Sequence, residues 1–502
     1  MGKAQKALAI AGMIAGWASS AAPAASAAED PKETNSLSIG AFHEFGQVHK
    51  GVYTVAASSH KTELTTNDWL DHFAAFVSDE AILGGRLHVS GGMGGIFEFR
   101  KPELPSGKVD AGFSGAQRKA FFAGPTDAQA VYYIGADEHH PWLKIGGGMF
   151  TEKYNPEAYN LGEFLFRSGA YPTYTVTGGY ALVNNAAATL QGFKSNLDLG
   201  AFQADIFFTT ETSLSPLYDW SLAALAGYTF ADGLVDIGAG VDFKRLVQVK
   251  PSRTAPRLAK NGYFTLNDRA YSGNSDYYSF QSDFYRAHGD SLRAEQWAAD
   301  AQTVQNVIND SSAARPAFRY FSGAGTLLMG RACIDPKKIL GSGIFGPEDL
   351  KLFGEVAVLG LKNYPVFFTK ITQRMPVMVG FNLPGYGLLD LFAIQAEYMD
   401  SPWLNNTAQV GNGGFNIPAY PLADDSIASA HAYNDMARHD NFKWSILLKK
   451  KFPANITLSG QVADDHLRLT SSYYYYGPQF DHNEVTAAPS HWYWMTQLAW
   501  GI

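Results

Sequence analysis

A few short stretches carry residue types that could do chemistry. "GDSL" (Gly289–Leu292) offers Ser291 as a nucleophile. A serine hydrolase would hold that hydroxyl behind a buried strand, within reach of a histidine and an acid. Here "FYRAH" (Phe284–His288) precedes it, a poor buried strand, and the Asp-x-x-His spacing Asp137–His140 lies upstream. Ser291 therefore reads as a helix cap, and no catalytic residue is assigned. "DEHH" (Asp137–His140) could offer metal ligands, but adjacent residues on a strand point to opposite faces. A polar loop between two strands is the reading taken. "HEFGQVH" (His43–His49) lacks the zinc-protease spacing and reads as N-terminal loop or strand. "GNGG" (Gly411–Gly414) precedes no helical pattern and reads as loop. "YYYY" (Tyr473–Tyr476) puts two rings on each side of a strand, which suits packing at a loop base or, alternatively, a platform for sugars. No cofactor and no metal site follow.

What repeats along the chain is a period rather than a site. The last residues read "HWYWMTQLAWGI". Trp492, Trp494, Thr496, Leu498, Trp500 and Ile502 share one parity; the other parity is smaller and mixed. Period two marks a β-strand with one apolar face. That face must meet either a protein core or hydrocarbon.

The N-terminus bears on which. Lys3 and Lys6 precede a short apolar run, Ala7–Trp17, and then small residues with "ASA" at Ala25–Ala27. This is the pattern of a cleaved secretory signal peptide over 1–27, leaving 28–502 as a single domain. No later stretch is long and apolar enough for a membrane-crossing helix. Cys333 is the sole cysteine, so no intramolecular disulfide can form. Without Lys3 and Lys6 the 39 basic residues become 37, against 47 acidic ones. That acidity argues against nucleic acid as a partner. The chain has 50 Gly, 33 Phe, 26 Tyr and 10 Trp. Yet mean hydropathy is only −0.14. Alternation reconciles the two, because every second residue can be apolar while its neighbours are wet.

The alternating segments recur. In Gly85–Arg100, Leu87, Val89, Met93, Phe97 and Phe99 oppose Arg86, His88, Ser90, Glu98 and Arg100. In Gly233–Arg245, Val235, Ile237, Ala239, Val241 and Phe243 oppose Asp236, Asp242 and Lys244. In Trp220–Phe230 the even positions are Trp220, Leu222, Ala224, Ala226, Tyr228 and Phe230, and in Leu350–Leu361 Leu352, Val356 and Val358 oppose Lys351 and Glu355. Further strands are expected at Gln129–Ala136, Trp142–Glu152, Thr175–Val183, Leu197–Thr209, Gly325–Ile334, Met375–Leu383, Leu388–Met399, Phe442–Phe452, Ile456–Asp464 and Leu467–Tyr476. Their length exceeds the usual globular strand of about 5–6 residues. "ADG" (Ala231–Gly233), "FPAN" (Phe452–Asn455) and "NLPGYG" (Asn382–Gly387) read as turns between strands. Asp290–Asp310 departs from the pattern: Trp297, Ala301, Val304 and Ile308 fall at helical spacing, so 290–310 is expected as a helical insert in a long loop, over the mouth or in the lumen.

Together, the leader, the alternating strands and the ending "LAWGI" resemble bacterial outer-membrane β-barrel proteins of the porin type. The resemblance implies an all-β fold: a transmembrane antiparallel barrel of roughly 14–18 strands, with short turns at one end and long loops at the other. It implies outer-membrane lipid, the barrel-assembly machinery and small solutes as partners, and leaves open a homo-oligomer. Trp492, Trp494, Leu498, Trp500 and Ile502 match the terminal assembly signal, though Ile502 replaces the usual aromatic end and Thr496 interrupts the run. Inward parity assigns Arg86, Glu98, Lys144, Asp236, Asp242, Lys244, Lys351 and Glu355 as candidate pore-lining residues. The function expected is a passive channel in a Gram-negative envelope, not an enzyme. The alternative is a surface adhesion or polysaccharide-binding protein that uses the barrel as an anchor.

Overall fold

The computed structural model describes residues 34–54, 61–100, 120–135, 140–166, 188–210, 219–247, 249, 325–341, 343–361, 370–400, 441–464, 470–473, 477–480, 486 and 490–501, with ten positions between 282 and 302. The expected leader, the segment Thr175–Val183 and Ile502 lie outside the described residues.

Alternating sequence becomes strand where one face is apolar and the other polar or small. The strands in chain order are β1 (Thr34–Thr54), β2 (Lys61–Leu83), β3 (Leu87–Arg100), β4 (Ala120–Gly135), β5 (Pro141–Glu152) and β6 (Ala188–Asp198). Next come β7 (Phe202–Thr210), β8 (Trp220–Phe230), β9 (Val235–Val247), β10 (Gly325–Ile334), β11 (Leu352–Val358) and β12 (Val377–Asn382). The last are β13 (Leu391–Tyr398), β14 (Phe442–Phe452), β15 (Ile456–Asp464), β16 (Thr470–Tyr473), β17 (Gly477–Phe480) and β18 (Trp492–Gly501). β16 and β17 form a separate two-stranded hairpin. The other sixteen pair in sequence order, and β18 returns to β1, so the sheet closes into a barrel. All pairings are antiparallel, and closure leaves no free strand edge.

The closing seam is tight. Gly46 lies opposite Met495, and a Cβ on Gly46 would come within 2.3 Å of the Trp494 carbonyl oxygen. Backbone cannot yield as a side-chain end does, so Gly46→Ala is expected to cost about 1–3 kcal/mol. The check is the temperature at which the folded band is lost on a heat-modifiability gel, which should fall.

The barrel is asymmetric along its axis. The ends of β2–β3, β6–β7, β8–β9 and β14–β15 are joined by short turns, at the end where β1 begins and β18 stops. At the β8–β9 turn, Ala231, Asp232 and Gly233 all have positive φ, and at the β14–β15 turn Ala454 and Asn455 do. The opposite end carries the long connections.

Inner and outer faces follow the alternation. Ile237 on β9, Leu328 on β10, Val356 on β11, Val379 on β12, Ile394 on β13 and Leu458 on β15 are outward and exposed. Their neighbours Asp242, Met329, Glu355, Met378, Gln395 and Ser459 are inward and buried. On β18, Trp500 and Leu498 are exposed while Tyr493 and Met495 are fully buried.

Two expected strands differ from what forms. Leu197–Thr209 is broken by a turn at 199–201, where Gly200 takes φ 81° and donates its N–H to Asp198 Oδ1 at 2.9 Å. The turn inverts direction without interrupting the apolar run, so alternation alone did not mark it. Of Leu467–Tyr476 the described residues, Thr470–Tyr473, form the β16 arm of the separate hairpin. In 290–310, Ser291, Leu292, Ala294, Glu295, Ala298, Ala299 and Gln302 are helical, with Ala294 buried.

Candidate functional site: a luminal strap and the cavity beside it

The described part of the connection after β5 lies inside the barrel. Residues 153–166, "KYNPEAYNLGEFLF", turn into the lumen, and nearly every side chain from Tyr154 to Phe166 is buried. This strap crosses from β5 to the opposite wall, formed by β11 to β14.

Glu355 of β11 anchors it. Its Oε1 accepts from the Tyr154 hydroxyl at 2.5 Å and the Phe164 N–H at 2.8 Å. Its Oε2 accepts from Asn155 Nδ2 at 2.7 Å and the Glu163 N–H at 3.0 Å. One carboxylate thus satisfies two backbone donors and two side-chain donors that would otherwise be buried unpaired. Further along the wall, Gln395 Oε1 accepts the Asn160 N–H at 3.0 Å, Gln395 Nε2 donates to the Glu157 carbonyl at 3.1 Å, and Asn160 Nδ2 donates to Ser445 Oγ at 3.2 Å. Lys351 Nζ reaches both Glu157 (2.9 Å) of the strap and Glu348 (2.8 Å) of the β10–β11 connection. Tyr159 touches the same two carboxylates at 3.1 and 3.2 Å.

The strap's apolar end packs toward β7 and β9. Phe166 meets Phe207 of β7 edge-on at 5.6 Å, and Leu165 is fully buried. Gly162 takes φ 92°, a backbone conformation that side-chain-bearing residues rarely adopt, so glycine is required there.

Glu163 is the odd member. It is buried, with φ 57°; Oε1 accepts the Asn155 N–H at 2.6 Å while Oε2 has no hydrogen-bond partner among the described residues. Burial, and then the Glu355 carboxylate beside it, push its carboxyl well above the usual range. Lys153, held low by its own burial, offers only partial compensation. A raised carboxyl favours the folded state while protonated, so its contribution is present at low pH and lost as pH rises through the folded-state value. Strap docking is therefore expected to weaken toward alkaline pH, and Glu163→Gln should flatten that dependence. Single-channel noise recorded across pH in both proteins checks it.

Beside the strap, on the β2 to β7 side, the lumen keeps a cavity of about 370 Å³. Glu80, Lys144, Glu152, Lys194, Asp198 and Asp205 line it, with His88, Ser90, Gln129, Tyr133, Asn196 and Gln203. His88 bonds Glu80 at 2.9 Å and stacks on Tyr133 at 3.8 Å; Lys144 Nζ lies 5.1 Å from the same ring. Both charge signs are interleaved, and much of the lining can hydrogen-bond water.

The eight inward candidates scatter over this interior. Lys351 and Glu355 meet at the strap. Lys144 lines the cavity. Asp236 accepts from Thr229 at 2.9 Å and pairs with Arg331. Asp242 is buried, 3.5 Å from Lys244. Arg86 is exposed in the β2–β3 turn, where its carbonyl accepts the Tyr133 N–H at 2.8 Å. Glu98 belongs to β3, and its side chain lies outside the described residues. Trp492, Trp494, Leu498 and Trp500 form one outward stripe on β18. The histidines of "HEFGQVH" go separate ways: His43 bonds Asp71 at 2.7 Å, and His49 stacks on Trp492 at 4.2 Å.

The strap itself was missed by sequence reasoning. A signal existed: Phe164, Leu165 and Phe166 are three consecutive large apolar residues in a connection too polar to be strand, and water would not hold them.

Fold and interior define a class: a closed, sixteen-stranded antiparallel barrel with an infolded segment and a polar cavity. No protein-family model and no curated protein matches the chain. Among solved structures it is similar to two mutants of the Rhodopseudomonas blastica porin, at 7% and 8% identity with TM-scores of 0.40 and 0.39. A structure titled "Asymmetric conductivity of engineered proteins" is similar at 8% identity and 0.39. Each likeness covers 93% of this chain and 100% of the other.

Proposed function

We propose that this chain is an integral outer-membrane barrel, exported behind a cleaved leader, that passes small polar solutes passively through the lumen. The observation that carries the reading is the divided interior. The strap is bonded to the β11 to β14 wall, while the cavity on the other side stays wet and charged. A structural plug would be expected to fill both halves. Outside, exposed apolar residues recur on strand after strand, and hydrocarbon tolerates such a surface only because closure pairs the backbone. Barrels of about 16–18 strands are wide enough to hold an aqueous channel. The strap narrows this one. Its interleaved charges give weak selectivity, and Lys144, Asp236, Asp242 and Lys244 act as pore lining rather than as a catalytic set.

Planar-bilayer recording of the purified protein tests this. Stable conductance steps are the expected result. A silent bilayer, with loop-dependent binding of polysaccharide instead, would favour the anchor reading.

A further inference from the structure

The turns at the short end are brief, with one exception. Residues 335–351, between β10 and β11, form a small built module around a short helix, Lys337–Leu340. Two buried charges hold it together. Lys337 Nζ donates to the Pro347 carbonyl at 3.0 Å and to the Asp349 carbonyl, and pairs with Asp335 at 3.0 Å. Asp349 Oδ2 accepts the Gly346 N–H at 2.8 Å, and its Oδ1 accepts the Gly385 N–H of the β12–β13 turn at 3.0 Å. The module and the neighbouring turn are thus one unit, and the Phe345 and Tyr386 rings meet across it at 6.3 Å.

Internal fixation of this kind would ordinarily bury apolar side chains. Here it leaves Ile339, Leu340, Ile344, Tyr386 and Leu388 outside, between 63% and 80% exposed. Several large apolar residues grouped on two adjacent, rigid turns mark an interaction surface.

Two features choose the occupant. First, the patch continues the apolar outer wall: Ile334 ends β10 and Leu352 begins β11, paired with each other and both exposed on the outer face, and the module grows from between them. Second, exposed lysines flank it, while Asp335 and Asp349 of the module are turned in and bonded. Lys338 is exposed next to Leu340, near Gly233 of the β8–β9 turn; Lys450 Nζ donates to the Gly387 carbonyl at 2.7 Å, next to Leu388; Lys451 is exposed beyond. Asp390 and Glu348 are the nearby carboxylates, and Lys450 and Lys351 pair with them. Apolar side chains set among lysines suit the boundary between acyl chains and anionic headgroups.

From this placement we infer that the 335–351 module and the 383–390 turn dock into the phospholipid leaflet on the short-turn side and anchor that end of the barrel at a fixed depth. The inference rests on the membrane reading above and adds a specific lipid contact to it.

The test uses the full chain with Cys333→Ser, refolded into vesicles of phosphatidylcholine and phosphatidylglycerol. Leu340→Cys, Leu388→Cys, Arg86→Cys and Val379→Cys each carry an environment-sensitive fluorophore. Quenching is read with phospholipid brominated near the headgroup, with phospholipid brominated deep in the chain, and with aqueous iodide. The labels at 340 and 388 should be quenched by the shallow bromolipid and shielded from iodide several-fold better than the label at 86. The label at 379 should respond to the deep bromolipid. If 340 and 388 are as open to iodide as 86 while 379 stays lipid-quenched, the docking inference fails and the membrane reading stands. Shielding that appears only when a soluble protein fraction is added also overturns it, in favour of a protein partner. If 379 itself escapes bromolipid quenching, the membrane reading falls and takes the inference with it.

Discussion

Glu355→Ala frees the luminal strap. Four donors converge on that carboxylate, two of them backbone N–H groups of Glu163 and Phe164. All are buried, so removing the acceptor leaves them without partners as well as deleting the bonds. Individual hydrogen bonds to a charged group are worth about 1.5–3 kcal/mol, and breaking a buried charged contact from one side costs roughly 3–5 kcal/mol. At about 1.4 kcal/mol per decade, the undocked strap becomes at least ~100-fold more populated. The remaining contacts through Gln395, Ser445 and Lys351 keep the strap inside the barrel but no longer seated. In planar bilayers the variant should show larger and noisier conductance steps than the parent. In liposome swelling it should admit larger neutral sugars. An unchanged step size would mean that the strap does not border the conducting path.

Ile237→Lys has its effect on the other side of the same wall. Ile237 is outward and exposed on β9, opposite Tyr228 and Ala332, both outward. A lysine on the outer face costs about 2–4 kcal/mol at mid-depth and less toward the interface, and Ile237 is the third residue of β9, toward the short-turn end. Assembly should therefore fall, seen as loss of the fast-migrating folded band in unheated gels. The adjacent substitution Asp236→Asn is the control, because it turns inward. It removes the charge partner of Arg331 but keeps an acceptor for Thr229. It should leave assembly near normal and change conductance or ion preference. Equal tolerance of the two would contradict the assignment of faces.

How much was legible follows from what alternation can encode. β10, β14 and β15 form over the expected residues, and the outward parity read for β3, β8, β9, β11 and β18 is the parity found, because each puts most of its large apolar residues on one side. The two longest strands were not legible. In β1 and β2 the outer face carries His43 and Asp71, while the inner face carries Phe42, Val48, Ala74 and Phe76, so the pattern cancels. The strap was out of reach for another reason. Its partners on β11, β13 and β14 lie some two hundred residues or more along the chain. Parity could say that Glu355 points inward. Only the folded chain shows that it holds a crossing segment instead of facing open water.

The most direct measurement for the account as a whole is a cysteine scan of β9. In the Cys333→Ser protein, each residue from Val235 to Lys244 is replaced singly and challenged, in native membranes, with a small charged thiol reagent. Reaction at 236 and 244, less at 238, 240 and 242, which are packed against Arg331, Leu225 and Lys244 inside, and protection at 235, 237, 239, 241 and 243 is the predicted result. Uniform reaction along the strand, or reaction only at the odd positions, would contradict a barrel with hydrocarbon outside and water within.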